Sequence, residues 1–214
     1  MSAGKPEPLV IHGWTVFAHP LFLSQIEALA RQVETLKQKD PAGYLRKKAS
    51  KRLAAITKLA FDVIPQDPTR PEYRQGGTLD ADRKHWFRAK FFRQYRLFFR
   101  YHLPSKVILY AWVNDEDTKR AYESSDDAYR VFRKMLESGH PPDDWDQLLA
   151  EAQKGSGISL GSEAEQRLHG LLPTHQGGDQ DGRHAPQAEN WLPAGVSVRP
   201  PWNVGAARGS AASS

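Results

Sequence analysis

Between Arg83 and Tyr101 the chain reads RKHWFRAKFFRQYRLFFRY, with seven basic residues, eight aromatics and no acid. A run of like charge is ordinarily solvated and without structure, but a run this aromatic has a core to build. Its period is two. In 84–91, Lys84, Trp86, Arg88 and Lys90 share one face while His85, Phe87, Ala89 and Phe91 share the other. In 95–101, Arg96, Phe98 and Arg100 oppose Tyr95, Leu97, Phe99 and Tyr101. Two strands turning at Arg93-Gln94 would form a hairpin with a core side and a cationic side, Arg88 and Lys90 lying beside Arg96 and Arg100.

Working outward, Leu103-Pro104-Ser105 makes the next turn, and Val107–Val113 (VILYAWV) reads as a central strand covered on both sides. Upstream, residues 10–18 are expected to be a first strand. Pro20 then opens a helix whose apolar stripe is Ile26, Leu29, Val33 and Leu36, ending near Lys39 before Asp40-Pro41. Leu45, Ala49, Leu53 and Ile56 mark a second helix with a basic outer face. Residues 65–82, rich in proline and glycine, form a long loop of the kind that is often functional. After the central strand come a short helix over 118–122, an N-cap at Ser124-Ser125-Asp126, a helix carrying Tyr129, Phe132, Met135 and Leu136, a turn at His140, and a last amphipathic segment with Trp145, Leu148 and Leu149. The order β-α-α-β-β-β-α-α predicts an α+β domain over 10–153 with an antiparallel sheet. Residues 1–9 form a loose arm.

From 154 to 214 the composition shifts to Gly, Ser, Pro, Gln and Ala without period, so a disordered tail is expected. Leu168, Leu171 and Leu172 are its one short helical pattern, and His169, His175 and His184 are too loosely spaced for a metal site. The first 154 residues hold 26 basic and 20 acidic side chains, so the positive excess belongs to the domain and attracts polyanions. The absence of cysteine excludes disulfides, thiolate metal sites and thiol nucleophiles. The amino terminus has no apolar leader pattern and no apolar run is long enough to span a bilayer, which predicts a soluble, cytoplasmic protein with no membrane partner.

No phosphate-binding loop, dinucleotide fingerprint, zinc-protease motif or paired-carboxylate signature stands at a credible position. What remains is a cluster of Arg, Lys, Tyr and His. RNA cleavage needs a base for the 2′-hydroxyl, cations for the charge growing on phosphorus and an acid for the departing 5′-oxygen, and these side chains can supply all three without a metal or cofactor.

The segments HGWTVFAHP (12–20), VETLKQKDP (33–41), RQYRLFFRY (93–101), KVILYAWVNDEDTKRAY (106–122) and SGHPPDDW (138–145) together resemble the YhaV family of toxins, within the RelE-like superfamily of toxin-antitoxin systems. The resemblance covers roughly residues 10–153 and not the tail. It implies a RelE-like fold, a small antiparallel sheet with helices packed against one side. It also implies a ribosome-dependent endoribonuclease that cleaves messenger RNA, a PrlF-type antitoxin of the AbrB kind, and repression of the pair's own promoter DNA. Carried onto these strands, it places the catalytic group at Arg88, Lys90, Arg96 and Arg100, with Arg96 on the scissile phosphate and Arg88 and Arg100 sharing the transition-state charge. Lys90, Tyr122 and His85 are candidates for the base, His85 counting least because alternation turns it away. Lys84 and Arg93 would steer phosphates, and Phe98 and Trp112 would stack on bases. Tyr129 reads equally as a core residue. Two other classes remain open on the residues alone: a non-catalytic nucleic-acid-binding module or corepressor component, and a protein whose basic face serves only to hold an acidic antitoxin segment.

Overall fold

The computed structural model describes residues 9–116, 127–154, 168 and 170–172. Five strands form one sheet in the order β1-β2-β5-β4-β3, with β1 Leu9–Ile11, β2 Trp14–Ala18, β3 Phe87–Phe91, β4 Tyr95–His102 and β5 Val107–Val113. The first strand expected over 10–18 is instead a hairpin. His12 and Gly13, at φ 49° and 77°, turn it in two residues with the positive dihedrals that suit strand twist. The sheet is also mixed rather than antiparallel. Strands β3, β4 and β5 alternate through tight turns, but β5 enters beside β2 and runs parallel to it, Val16 opposite Ile108. The helical excursion between β2 and β3 permits this, since a parallel pair needs a long crossover and not a turn.

On one face lies the helical hairpin. Helix α1 (Pro20–Lys39) begins with His19, whose Nδ1 accepts from the Leu21 amide at 3.2 Å, and ends on Lys37 and Lys39, cations suited to a helix carboxyl terminus. It buries Phe22, Ile26, Leu29 and Val33 against the sheet. After a 3-10 turn at Tyr44–Arg46, α2 (Lys48–Lys58) buries Leu53 and Ile56, widens into a π-turn over Leu59–Val63 and passes to the short α3 (Ile64–Gln66). Pro65 has no N–H to offer the preceding turn. The buried Tyr110 hydroxyl donates to the Ala60 carbonyl at 2.7 Å in its place. Burial of that phenol raises its pKa far above the ordinary value, so it stays a donor.

The other face was expected to be the open, cationic one, and it is covered. Helices α4 (Asp127–Glu137) and α5 (Trp145–Lys154) pack there on a second core that includes Trp86, Phe98, Leu109, Trp112, Phe132 and Leu148. Phe132 lies parallel to Phe98 at 4.2 Å and to Trp112 at 5.8 Å between ring centroids. A β-bulge makes this cluster possible. Phe98 pairs with Trp112 but Phe99 pairs with Tyr110, so Ala111 is the extra residue and Trp112 is re-aimed to the Phe98 side.

The loop of 65–82 carries 3-10 turns at Pro71–Tyr73 and Ala81–Arg83, and Arg74 bridges to Phe87 along the outer edge of β3. The helix expected over 118–122 and the cap at 124–126 lie outside the described residues. The tail, expected to be disordered from 154 onward, contributes to the fold at Leu168 and at 170–172. Leu168 and Leu171 are buried in the first core, Tyr44 Oη donates to the Leu171 carbonyl at 3.2 Å and Lys37 Nζ to that of Gly170 at 3.3 Å. Among the described residues no helix is long and apolar enough to cross a membrane.

Candidate active site

The hairpin of β3 and β4 turns through Phe92-Arg93-Gln94, with φ of 44° at Phe92 and 61° at Arg93. This register sets Lys90 directly opposite Arg96 and Arg88 opposite Phe98. Like charges facing across a ladder disfavour the pairing by roughly 0.2–1 kcal/mol. Neither Lys90 nor Arg96 has a carboxylate partner among the described residues. The Arg96 guanidinium donates through Nη1 to the carbonyls of Arg93 and Tyr95, both at 2.8 Å, while its buried Nε has no hydrogen-bond partner. Its backbone is pinned by Asn114, whose Oδ1 accepts from the Arg96 amide at 2.6 Å and whose Nδ2 donates to the Gln94 carbonyl at 3.0 Å.

Lys90 is the one exposed member of the four strand cations. The charge of Arg88, then burial, then the charge of Arg96 lower its pKa below the ordinary lysine value. That direction favours the neutral amine, the form able to accept a proton.

Arg88 departs from expectation. It is only 9% exposed, donating through Nε to Tyr129 Oη at 2.6 Å and through Nη1 to the Glu72 carbonyl at 2.8 Å. Helix α4 supplies the phenol and the 71–73 turn the carbonyl, so two segments outside β3 fix one guanidinium. Tyr129 is the residue the strand pattern could not place. Its only signal is its position on the apolar stripe of a helix that had to cover the remaining sheet face.

Arg100 is not brought to this corner. It lies four residues further along β4, about 13 Å at strand rise. There its guanidinium sits between the rings of Trp86 and Trp145, 5.4 and 5.2 Å from their centroids, and donates to the Asp143 carbonyl at 2.7 Å. Burial lowers its pKa against the opposing pull of Asp143 and Asp144. The same carboxylate, Asp143, accepts from Trp86 Nε1 at 2.6 Å and meets His85 Nε2 at 2.8 Å. Burial of Asp143 opposes its ionisation, and those two hydrogen bonds with the nearby charges outweigh it and leave the pKa low. His85 and Arg100 thus tie the α4–α5 connection, with its cis His140–Pro141 bond, to the start of β3.

Phe98 and Trp112, expected to stack on bases, are 0% and 4% exposed inside the aromatic cluster. Packing against Phe132 takes the ring faces that a base would need. Lys84 and Arg93 are exposed, one in the turn before β3 and one at the hairpin tip. Tyr122 lies outside the described residues. What converges is therefore Arg88, Lys90 and Arg96 with Tyr129, a group of three cations and a phenol. Such a group can bind a phosphodiester, offer one amine poised to take a proton, and spread cationic charge over a phosphorane.

Residues 16–153 match a family model described as a toxin with endonuclease activity, of a toxin-antitoxin system. Over 149 residues the chain is 46% identical to Ribonuclease toxin YhaV of Escherichia coli strain K12 and to Toxin YhaV of Escherichia coli O157:H7, a span covering 69% of this chain and 97% of each relative. No solved structure matches it.

Proposed function

Because this chain belongs to the YhaV family of toxins, we propose that it is an endoribonuclease that cleaves messenger RNA on translating ribosomes and so arrests translation. The observation that carries this reading is the opposition of Lys90 and Arg96 across the hairpin with Arg88 on the same face. Among the described residues no carboxylate pairs with Lys90 or Arg96, and a bound anion would relieve the repulsion between them. Strand order and the helical hairpin between β2 and β3 support a RelE-like fold for the domain.

In the reaction, Lys90 removes the proton of the 2′-hydroxyl, and the oxygen attacks the adjacent phosphorus. Arg96 contacts the scissile phosphate, and Arg88, aimed by Tyr129, shares its growing charge. The 5′-oxygen leaves with a proton from an acid, giving a 2′,3′-cyclic phosphate and a 5′-hydroxyl end; Tyr122 is the second candidate for the base. Lys84 and Arg93 steer flanking phosphates. Arg100 and the Phe98–Trp112 cluster support the hairpin instead of touching RNA. The chemistry uses no metal or cofactor. A PrlF-type, AbrB-like antitoxin neutralises the toxin in the cytoplasm, and their complex binds its own promoter DNA.

The test is purified protein added to ribosomes programmed with a defined message under translating conditions. Cleavage mapped by primer extension is expected, and Arg96→Ala should reduce it by roughly 100-fold or more, the scale of losing one transition-state contact. Intact message under translating conditions would overturn the reading. The burial of Arg88 favours one rival, a module that holds nucleic acid without cutting it. That rival predicts steep loss of affinity with salt and no product.

A further inference from the structure

At the carboxyl end of β5, on the face away from the second core, the helical hairpin and the sheet part. A cleft of about 320 Å³ opens there between α1, α2 and residues 113–116. Its apolar floor is Leu29, Ile56 and Val113, and its polar walls are Gln25, Gln32, Arg52, Asn114, Asp115 and Glu116. The volume sits at the low end of the roughly 300–1,000 Å³ of small-molecule sites. An apolar floor under amide and guanidinium groups suits a planar heterocycle with a hydrogen-bonding edge.

Two observations tie the cleft to the cations. Asn114 is a shared wall, since it lines the cleft and also holds the Arg96 amide and the Gln94 carbonyl. Arg96 and the cleft therefore flank the same strand end, from opposite faces of the sheet. The walls are also set in place beforehand. The Arg52 guanidinium lies 5.6 Å from the Tyr95 ring centroid and 3.8 Å from Glu116, and the Tyr95 hydroxyl donates to that same carboxylate. Burial, then the Glu116 hydrogen bond, push the Tyr95 pKa up to about 12, so this donor persists at neutral pH. Gln25 is oriented by accepting from the Val113 amide at 3.1 Å. Groups fixed before binding lose little freedom when a ligand arrives.

We propose that this cleft takes one nucleobase of the RNA next to the cleaved bond, and that Gln25, Gln32 and Arg52 read its edge and set the base preference of cleavage. The proposal rests on the endoribonuclease reading above. The cleft has room for one base, and Arg96 stands on the adjoining strand β4 with Lys90 opposite it on β3. A side chain of the antitoxin is the competing occupant.

The full chain is titrated with adenosine, guanosine, cytidine and uridine, followed by NMR of the side-chain amides. Uncharged nucleosides have no phosphate to draw them to Lys90 and Arg96. One nucleoside should bind about tenfold or more tightly than the rest and shift the Gln25 and Gln32 signals. Gln32→Ala, an exposed position whose loss should spare the fold, should erase that discrimination. In parallel, cleavage is mapped on an RNA offering every base beside otherwise equal sites. The ratio of preferred to other cuts should fall about tenfold in Gln32→Ala. Equal binding of all four nucleosides, shifts confined to other residues, or an unchanged cutting ratio would overturn the proposal. So would amide shifts produced by antitoxin and by no nucleoside. If the wild type cuts no RNA, the endoribonuclease reading fails, and the titration still decides whether the cleft takes a base.

Discussion

Arg88 on β3 and Tyr129 on α4 meet at 2.6 Å, guanidinium Nε to phenol oxygen, with 9% and 7% of their surfaces exposed. A buried charged donor depends on its acceptor, and leaving it unpaired costs roughly 1–3 kcal/mol. Tyr129→Phe keeps the ring in its edge contact with Phe98 and removes only the oxygen. Unfolding in urea should show a loss of about 1–3 kcal/mol, and kcat should fall with KM nearly unchanged, because Arg88 loses its aim and not its charge. A variant with full kcat would remove this pair from the reaction.

The pH dependence of cleavage should belong to Lys90. Its amine must be neutral to accept a proton, so the rate should climb with pH through its lowered pKa and level off above it. Arg88 is the largest cause of that lowering. Arg88→Gln relieves the repulsion felt by the ammonium, raises the pKa and should move the rising limb to higher pH, whatever happens to the plateau. A limb that stays in place would exclude Lys90 as the base.

Phe98, Trp112 and Phe132 form one stack beneath α4. Truncating a buried aromatic costs about 3–5 kcal/mol. Trp112→Ala should therefore lower stability by that order, while affinity for RNA per folded molecule stays within about twofold, against the 1–3 kcal/mol expected if the ring stacked on a base. Denaturation and binding measured on the same preparation separate the two.

The leucines of 168–172 should matter to stability although they lie beyond the family match of 16–153. Leu168→Ala with Leu171→Ala removes two buried side chains from the first core, where a single Leu→Ala change costs about 2–5 kcal/mol at a well-packed site. Release of these residues would regain chain entropy and offset part of that loss. The expected drop is about 1–3 kcal/mol, read as a Tm lower by several degrees. An unchanged Tm would mean that this docking contributes nothing to stability.

The alternation in 83–101 is local chemistry, and it assigned the residues of 87–91 and 95–101 to their faces; Lys84, His85 and Trp86 lie before the strand, and His85, expected to turn away, meets Asp143 beside Trp86. Leu97 and Phe99 are buried on one side and Arg88, Lys90, Arg96 and Arg100 stand on the other, as a period of two demands. The stripes of α1 and α2 and the stop at Asp40 were equally legible, since caps, breakers and apolar spacing act within a few residues. Strand alternation could not say what covers the cationic face. The apolar stripe of α4 and α5 had to bury itself somewhere, and the sheet face left over was that one, which turned four expected surface cations into one exposed lysine and three partly or largely buried arginines. The bulge at Ala111, the parallel entry of β5 beside β2 and the docking of Leu171 under Tyr44 likewise join residues far apart in the chain. Which residues can form a cationic hairpin is written in the sequence by itself; which of those cations remains free to meet a phosphate was decided by packing, because burial depends on what arrives from elsewhere in the fold.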